Sequence, residues 1–398
     1  MSGWTSVDSA VRTSVMHRSS TAPVALLAAT LMACASAQAT WPAAHVTSAT
    51  TVDARGAPDV RLFLIGDAGG DVRNPVLQGL RTQVAVDPSR SMVLFLGDNV
   101  YPHGLPDGAS ASRGEAESRL GAQMDAVRAA DARGVFIAGN HDWGSDGENG
   151  MMAVAREATF VNQHGGGRIR MLPEAGCPGP EVLDVGMALR LVLLDTEWLL
   201  RRRNQRATMS GCLTDERALL DSLAYAISSA GERKVVVAGH HPLQSGGPHG
   251  GNFGWQQHLF PLRDFWSAAW VPLPLAGSLY PLVRRLGRTK EDLKSKPYTR
   301  LRALLDSVMR VHRPLVYAAG HEHNLQAHQP TTSPLLLVSG AGSSDRASFV
   351  RALAATRFTA RAHGFMRLDV WGTRPSQLTV FTVDRRGTAT VRYQLAVE

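Results

Sequence analysis

From residue 59 onward the chain repeats one pattern. An aliphatic run, often β-branched, ends in glycine plus a polar residue, and a helical or loop segment follows. The runs are Val60–Ile65, Met92–Leu96, Val135–Ala138, Val235–Ala238 and Leu315–Ala319. They are short and apolar, as strands buried on both faces are. Between them, helical periodicity predicts Asp215–Ala230, with Thr214 as N-cap, and Tyr298–Val311. The tail differs: Leu335–Ser339, Phe365–Val370, Leu378–Val383 and Thr390–Leu395 read as strands with little helix between them. The pattern predicts an α/β fold grading into a β-rich carboxyl end, in one domain over residues 59–398.

Composition narrows the class. With 44% hydrophobic and 19% charged residues, the chain is neither disordered nor coiled-coil, and 398 residues suffice for a sizeable core. The net charge of +8 favours anionic partners without choosing among phosphate esters, lipid headgroups and nucleic acid. No specific nucleic-acid binding is expected. No apolar run after residue 40 is long and clean enough to span a bilayer.

Residues 1–39 read as an export signal, and 40–58 as a linker. Arg12 and Arg18 form the positive region, Val24–Ala33 the apolar region, and Ala37-Gln38-Ala39 a small-x-small cleavage site; Met16 offers an alternative start. Leu31-Met32-Ala33-Cys34 competes as a lipobox, with Cys34 lipidated. The product is a periplasmic or secreted protein in the first reading and a membrane-anchored lipoprotein in the second. In an oxidising compartment the two remaining cysteines, Cys177 and Cys212, most simply form a disulfide.

One segment, at about 255–302, breaks the pattern. Its first part is apolar and rich in Trp and Pro, including Phe265, Trp266 and Trp270. Its second part carries Arg284, Arg285, Arg288, Lys290, Lys294, Lys296, Arg300 and Arg302 against Glu291 and Asp292, a local balance of +6. The prolines exclude a continuous helix. The segment reads as an insertion, either a lid over the site or a surface resting on a membrane.

The strand ends carry the candidate chemistry. In order they are Gly66-Asp67, Gly97-Asp98-Asn99-Val100-Tyr101, Gly139-Asn140-His141-Asp142, Gly239-His240-His241-Pro242 and Gly320-His321-Glu322-His323. Open α/β sheets bind ligands at the carboxyl ends of their strands, so these residues should converge on one crevice. A single Gly-Asp is usually a turn or cap. Five in order, offering oxygen and imidazole but no thiolate, suit iron, manganese or zinc. They are too many for one four-coordinate ion and suit a pair sharing a carboxylate.

These ordered motifs resemble the calcineurin-like metallophosphoesterases, and Asp98-x-x-Tyr101 resembles the purple, tartrate-resistant-type acid phosphatase branch. The resemblance implies an αββα four-layer sandwich with metals at one edge. It implies that Asp67, Tyr101 and His323 hold a ferric ion, that Asn140, His240 and His321 hold a divalent ion (iron, zinc or manganese), and that Asp98 bridges them. His141 matches a phosphate-contacting histidine and His249 another active-site histidine, either of which would protonate the leaving group. The implied activity is a metal-dependent hydrolase acting on phosphate monoesters through a metal-bound hydroxide. The 255–302 insertion is longer than the small phosphatases have. It leaves open a phosphodiesterase or nucleotidase acting on larger anions, contact with a membrane surface, and a non-catalytic surface-binding role for the fold.

Overall fold

The computed structural model describes residues 56–398, apart from 146–149, 202–205, 207–210, 265–268 and 344–346. The signal and lipobox readings, Cys34 included, lie outside the described residues, as do Phe265 and Trp266.

In chain order the elements begin β1 (Val60–Ile65), α1 (Pro75–Val84), β2 (Ser91–Phe95), α2 (Arg113–Arg128), β3 (Arg133–Phe136), α3 (Gly150–His164) and β4 (Ile169–Met171). A second group is β5 (Glu181–Val185), β6 (Leu189–Leu193), α4 (Thr196–Leu200), α5 (Glu216–Ser228) and β7 (Lys234–Ala238). After it come α6 (Trp255–Leu259), α7 (Leu279–Arg285), α8 (Lys296–His312), β8 (Val316–Ala319), β9 (Leu325–His328) and β10 (Leu335–Ser339). The tail is β11 (Thr356–Ala360), β12 (Gly364–Val370), β13 (Ser376–Val383) and β14 (Ala389–Val397).

These strands form two seven-stranded sheets, ordered β14-β13-β12-β1-β2-β3-β4 and β11-β9-β10-β8-β7-β6-β5. Strands β1 to β4 are mutually parallel, as are β6, β7, β8 and β10. The β-rich tail adds antiparallel strands β12 to β14 to the first sheet.

Alternation along the central strands explains the layering. In β1, Leu62 and Leu64 join a core with Leu94, Val236 and Val316 between the sheets. Phe63 and Ile65 point the other way, into a cluster with Leu80 of α1 and Leu120 of α2. On the second sheet Val192, Val237 and Tyr317 pack with Leu219 of α5 and Leu305 of α8. Each central strand buries both faces, which is why its run is apolar rather than alternating. The result is the expected mixed α/β sandwich with helices outside.

The differences are local. Helix α5 is capped by Asp215, not Thr214, because the Asp215 carboxylate accepts from the Ala218 amide at 2.9 Å. Helices α1 to α4, α6 and α7 and strands β4, β5, β6, β9 and β11 escape the sequence pattern; β5 alternates exposed Val182 and Asp184 positions at a sheet edge. Helix α8 begins at Lys296 and buries Tyr298, Leu301 and Leu305 in the core, so the last residues of the 255–302 segment belong to a core helix. Among the described residues no helix is long and apolar enough to cross a membrane.

Cys177 and Cys212 are joined, with Cα atoms 5.3 Å apart and 35 residues of separation. The bond ties the loop before β5 to the segment leading into α5. The Cys177→Ser, Cys212→Ser double variant should lose about 2–4 kcal/mol of stability by urea unfolding. An unchanged midpoint would mean that the cross-link stabilises nothing.

Candidate metal centre

The parallel strands β1, β2 and β3 end at the same edge where β7 and β8 of the other sheet end. Backbone bonds stitch that edge: the Gly66 amide donates to Ser339 O at 2.7 Å, and Gly342 donates to Gly66 O at 3.0 Å. All seven expected metal-site residues arrive there.

Two donor groups form. In the first, the Tyr101 hydroxyl lies 3.1 Å from Asp67 Oδ1, 3.0 Å from Asp98 Oδ2 and 3.0 Å from His323 Nε2. In the second, Asn140 Oδ1 lies 3.1 Å from both His240 Nε2 and His321 Nδ1, which are 3.3 Å from each other. Asp98 stands between the groups, with Oδ2 also 3.5 Å from His240 Nε2. His240 Nδ1 donates to Leu96 O at 2.8 Å, which turns the lone pair on Nε2 toward the cluster.

Close approach of these groups depends on the glycines ahead of them. A Cβ on Gly139 would sit 2.3 Å from Asp98 Oδ1, and one on Gly320 would sit 2.7 Å from Asp67 Oδ2. Three of the donors, Asp67, Asp98 and His321, have φ of 59°, 55° and 69°, the left-handed region that side chains enter at a cost.

The electrostatics lack a cation. Asp67 and Asp98 are fully buried, and among the described residues no lysine or arginine pairs with either. Burial raises the Asp67 pKa well above the carboxylate range, with the Asp98 charge adding to it. Burial opposes the Asp98 charge too, but His240, His141 and the His141 amide hold its pKa well below that range. Burial also disfavours charge on His240; Asp98 and Asp67 outweigh it and push the pKa up to about 10. For Tyr101, burial and then both carboxylates push the phenol pKa up.

The donor set fits metal ions. The triangle of Asn140 Oδ1, His240 Nε2 and His321 Nδ1 has edges of 3.1–3.3 Å. Ligands at about 2.1 Å from one ion and at right angles are about 3 Å apart. Asp67, Asp98 and His240 also offer ligand atoms within 4.8 Å of one another, as do His240, His241 and His321.

The two further histidines flank the cluster. The His141 amide donates to Asp98 Oδ1 at 2.9 Å, and its ring lies 4.4 Å from that of Tyr101. The His249 ring lies 4.1 Å from that of His321, tilted by 42°, and its Nδ1 lies 3.0 Å from Arg284 Nη2 and 3.1 Å from Glu291 O.

Several supporting residues carried no role in the sequence reading. Asp142 Oδ1 accepts from the Asn99 and Val100 amides and Oδ2 from the Gly139 amide, all within 2.8–3.0 Å, which staples the Asp98 loop to the Asn140 loop. Burial, then the Asp98 charge, pushes its pKa up to about 7. Glu322 Oε1 accepts from Ser245 Oγ at 2.6 Å and the His249 amide at 3.0 Å, fixing the loop that carries His249. Both sit in the quoted motifs, where a carboxylate beside a ligand was the available signal.

Glu291 came from the insertion. Its Oε2 lies 3.1 Å from His241 Nε2 and its carbonyl 3.4 Å from His321 Nε2. Lys290 Nζ reaches Glu197 Oε1 at 2.7 Å and Glu291 Oε1 at 3.4 Å. The Lys290 ammonium and the Arg201 guanidinium, 3.1 Å from Glu197 Oε1, therefore already face the two carboxylates of the Glu197, His241 and Glu291 group, and Lys290 latches this segment to the core. Arg284 pairs with Asp292 at 2.7 Å, and Arg302 donates to Leu243 O. The charge count of +6 is thus not a free cationic face: part of it is spent inside the protein. Contact of this segment with a membrane is not supported.

No family model matches the chain, and no curated protein matches it in sequence. Its fold is similar to that of GAP50, the anchor in the inner membrane complex of Plasmodium, with a TM-score of 0.53 at 13% identity over 85% of this chain and 88% of that one. It is also similar to purple acid phosphatase PPD1 from yellow lupin (Lupinus luteus) seeds, with a TM-score of 0.50 at 13% identity, covering 85% of this chain and 53% of the lupin chain. At such identities the likeness establishes the fold alone, a mixed α/β sandwich of two seven-stranded sheets with helices outside. Within that class, the chain is marked by a phenol and three imidazoles gathered around two buried carboxylates.

The missing charge makes a prediction about pH. In metal-free protein the raised His240 pKa contributes stability that is complete below the ordinary 6.5 and lost as pH rises to about 10. Asp67, with its raised pKa, acts in the same direction. Ligation requires neutral imidazole, so metal-loaded protein should hold its Tm across that window. Thermal unfolding with chelator and with added metal checks this; a chelated protein whose Tm stays level would refute it.

Proposed function

We propose that the chain is a binuclear-metal phosphatase that hydrolyses phosphate monoesters, of the purple acid phosphatase branch. The observation that carries this reading is the Tyr101 hydroxyl within 3.0–3.1 Å of Asp67, Asp98 and His323, a phenol at the centre of a carboxylate and imidazole cluster. Asp67, Tyr101 and His323 would hold a ferric ion, Asn140, His240 and His321 a divalent ion (iron, zinc or manganese), and Asp98 both. Bound there, the ions would supply electrophilic pull on the ester oxygens and a water activated for attack.

The remaining steps belong to the protein. Asp98 holds the two donor groups in one register. His141 donates from Nδ1 to Pro102 O at 2.7 Å, which fixes its ring and leaves Nε2 as the atom for a phosphate contact. His249 Nδ1 accepts from Arg284 Nη2 at 3.0 Å, which leaves the ring proton on Nε2 to hydrogen-bond the leaving oxygen. Burial, then His321 and Arg284, hold its pKa well below the ordinary imidazole value, which favours this neutral donor over a charged one. The Plasmodium anchor has the same fold, so the activity rests on this donor set and not on the architecture. The joined cysteines support export to an oxidising compartment, the periplasm or beyond, by signal cleavage or lipidation at Cys34.

Two measurements test the reading. Asp98→Asn should lower turnover of nitrophenyl phosphate by about 10²–10³ or more and reduce the metal content found by elemental analysis. Near wild-type activity with both ions retained would overturn the shared-carboxylate assignment.

Iron is tested by colour. Phenolate ligation of Fe(III) absorbs visible light, so protein loaded with iron under air should be violet to pink and Tyr101→Phe should bleach it. Colourless protein with full iron occupancy would remove Tyr101 from the ligand set.

A further inference from the structure

The insertion builds a cavity that opens directly from the candidate metal centre. It has a volume of about 650 Å³, in the range of sites for molecules of nucleotide size. Its floor includes His249, His321 and His323. A phosphate held at the metal centre would therefore point its alcohol into this space.

The walls are aromatic. Phe253, Trp255, Phe260, Tyr280 and Phe349 line it. Phe253 and Tyr280 meet edge to face at 6.1 Å. The Arg284 guanidinium lies 5.8 Å over the Tyr280 ring, and Trp255 is 61% exposed. A purely apolar slot would suit an alkyl chain, but this one interleaves its rings with Gln256, Ser348 and Arg361. Rings offering faces, with amide, hydroxyl and guanidinium groups between them, match a planar ring that has polar edges.

The walls are tied to the metal-site residues. Ser348 donates its amide to His323 O at 2.8 Å, and Leu293 donates to His249 O at 2.9 Å. Arg284 reaches His249 Nδ1 at 3.0 Å. A Cβ on Gly254 would lie 2.9 Å from Phe349, so the two sides of the cavity touch across that glycine. The cavity is thus held in fixed relation to the reacting centre, as a leaving-group site must be for remote binding energy to reach the transition state.

We infer that this cavity binds the leaving group of the ester, and that its substrates are phosphomonoesters whose alcohol carries a planar heteroaromatic ring, the class of the nucleoside 5′-monophosphates. This rests on the phosphatase reading and adds the substrate class. Part of the segment expected from its sequence to be a lid or a membrane surface thus turns rings of Trp255, Phe260 and Tyr280 toward the site, which suits the lid alternative.

The test compares kcat/KM for adenosine 5′-monophosphate, phosphotyrosine and ribose 5-phosphate on full-length metal-loaded protein. The nucleotide should exceed ribose 5-phosphate by roughly tenfold or more, the size of one base–aromatic stack. Phe253→Ala, and the exposed Trp255→Ala in case the first fails to fold, should each pull that ratio toward one. Equal kcat/KM for nucleotide and ribose 5-phosphate would overturn the inference. A preference for phosphotyrosine alone would overturn it in favour of simple aryl esters. If none of the three is hydrolysed, the phosphatase reading fails by itself. Adenosine binding, followed by saturation-transfer NMR with ribose as control, then decides the cavity: signal lost in Phe253→Ala supports it, and no signal in the wild type overturns it.

Discussion

Two carboxylates buried side by side, with no lysine or arginine beside them among the described residues, set the terms for the rest of this molecule. Asp67 and Asp98 reach each other through the Tyr101 hydroxyl and look outward to imidazoles and to the backbone amides of His321 and His141. Burying one unpaired carboxylate is expensive, and a second next to it raises the expense through repulsion. The protein meets part of this by charging His240 and leaving Asp67 prone to protonation. Neither response is an arrangement that a stable core would adopt for its own sake. The whole edge, with its small residues and its carboxylate staple at Asp142, is organised to hold negative charge in place ahead of a cation.

That organisation explains what could be read in advance. The central strands bury both faces, so each shows as an uninterrupted apolar run, and parallel pairing forces their ends to one side. The glycine and polar residue at each end were therefore readable together, and all seven gathered as expected. The starts of the two helices that were read fell within two residues: a neighbouring threonine stood where Asp215 does the capping, and Lys296 opens the helix expected from Tyr298. Helix α2 was harder because one of its buried positions is Gln123, whose amide donates to Asn99 O at 2.8 Å and so serves the site instead of the apolar stripe.

Charge was the least legible quantity. Counting cations along the insertion treats each as solvent-facing, whereas Lys290, Arg284 and Arg302 turn inward to Glu197, Asp292 and a backbone carbonyl. Glu291 looked like a minority anion in a basic run, yet it lies against His241 and beneath His321. Linear sequence does not say which way a long side chain folds, and Glu197, the partner that decides it for Lys290, lies 93 residues away. The aromatic residues raise the same difficulty: a Trp- and Phe-rich stretch on a membrane and one around a ligand look identical until a wall stands opposite.

The left-handed backbone at Asp67, Asp98 and His321 sets an evolutionary balance. Each of those conformations would be relieved by glycine or, less fully, by asparagine, and each relief removes a donor or weakens it. Stability and chemistry are therefore opposed at the same three positions, the relation expected where strain is kept for use. A descendant freed from holding metal would gain stability at its first substitutions there while its sheets stayed intact. Such a lineage would keep the sandwich as a durable scaffold, with a quiet edge where the charges once stood.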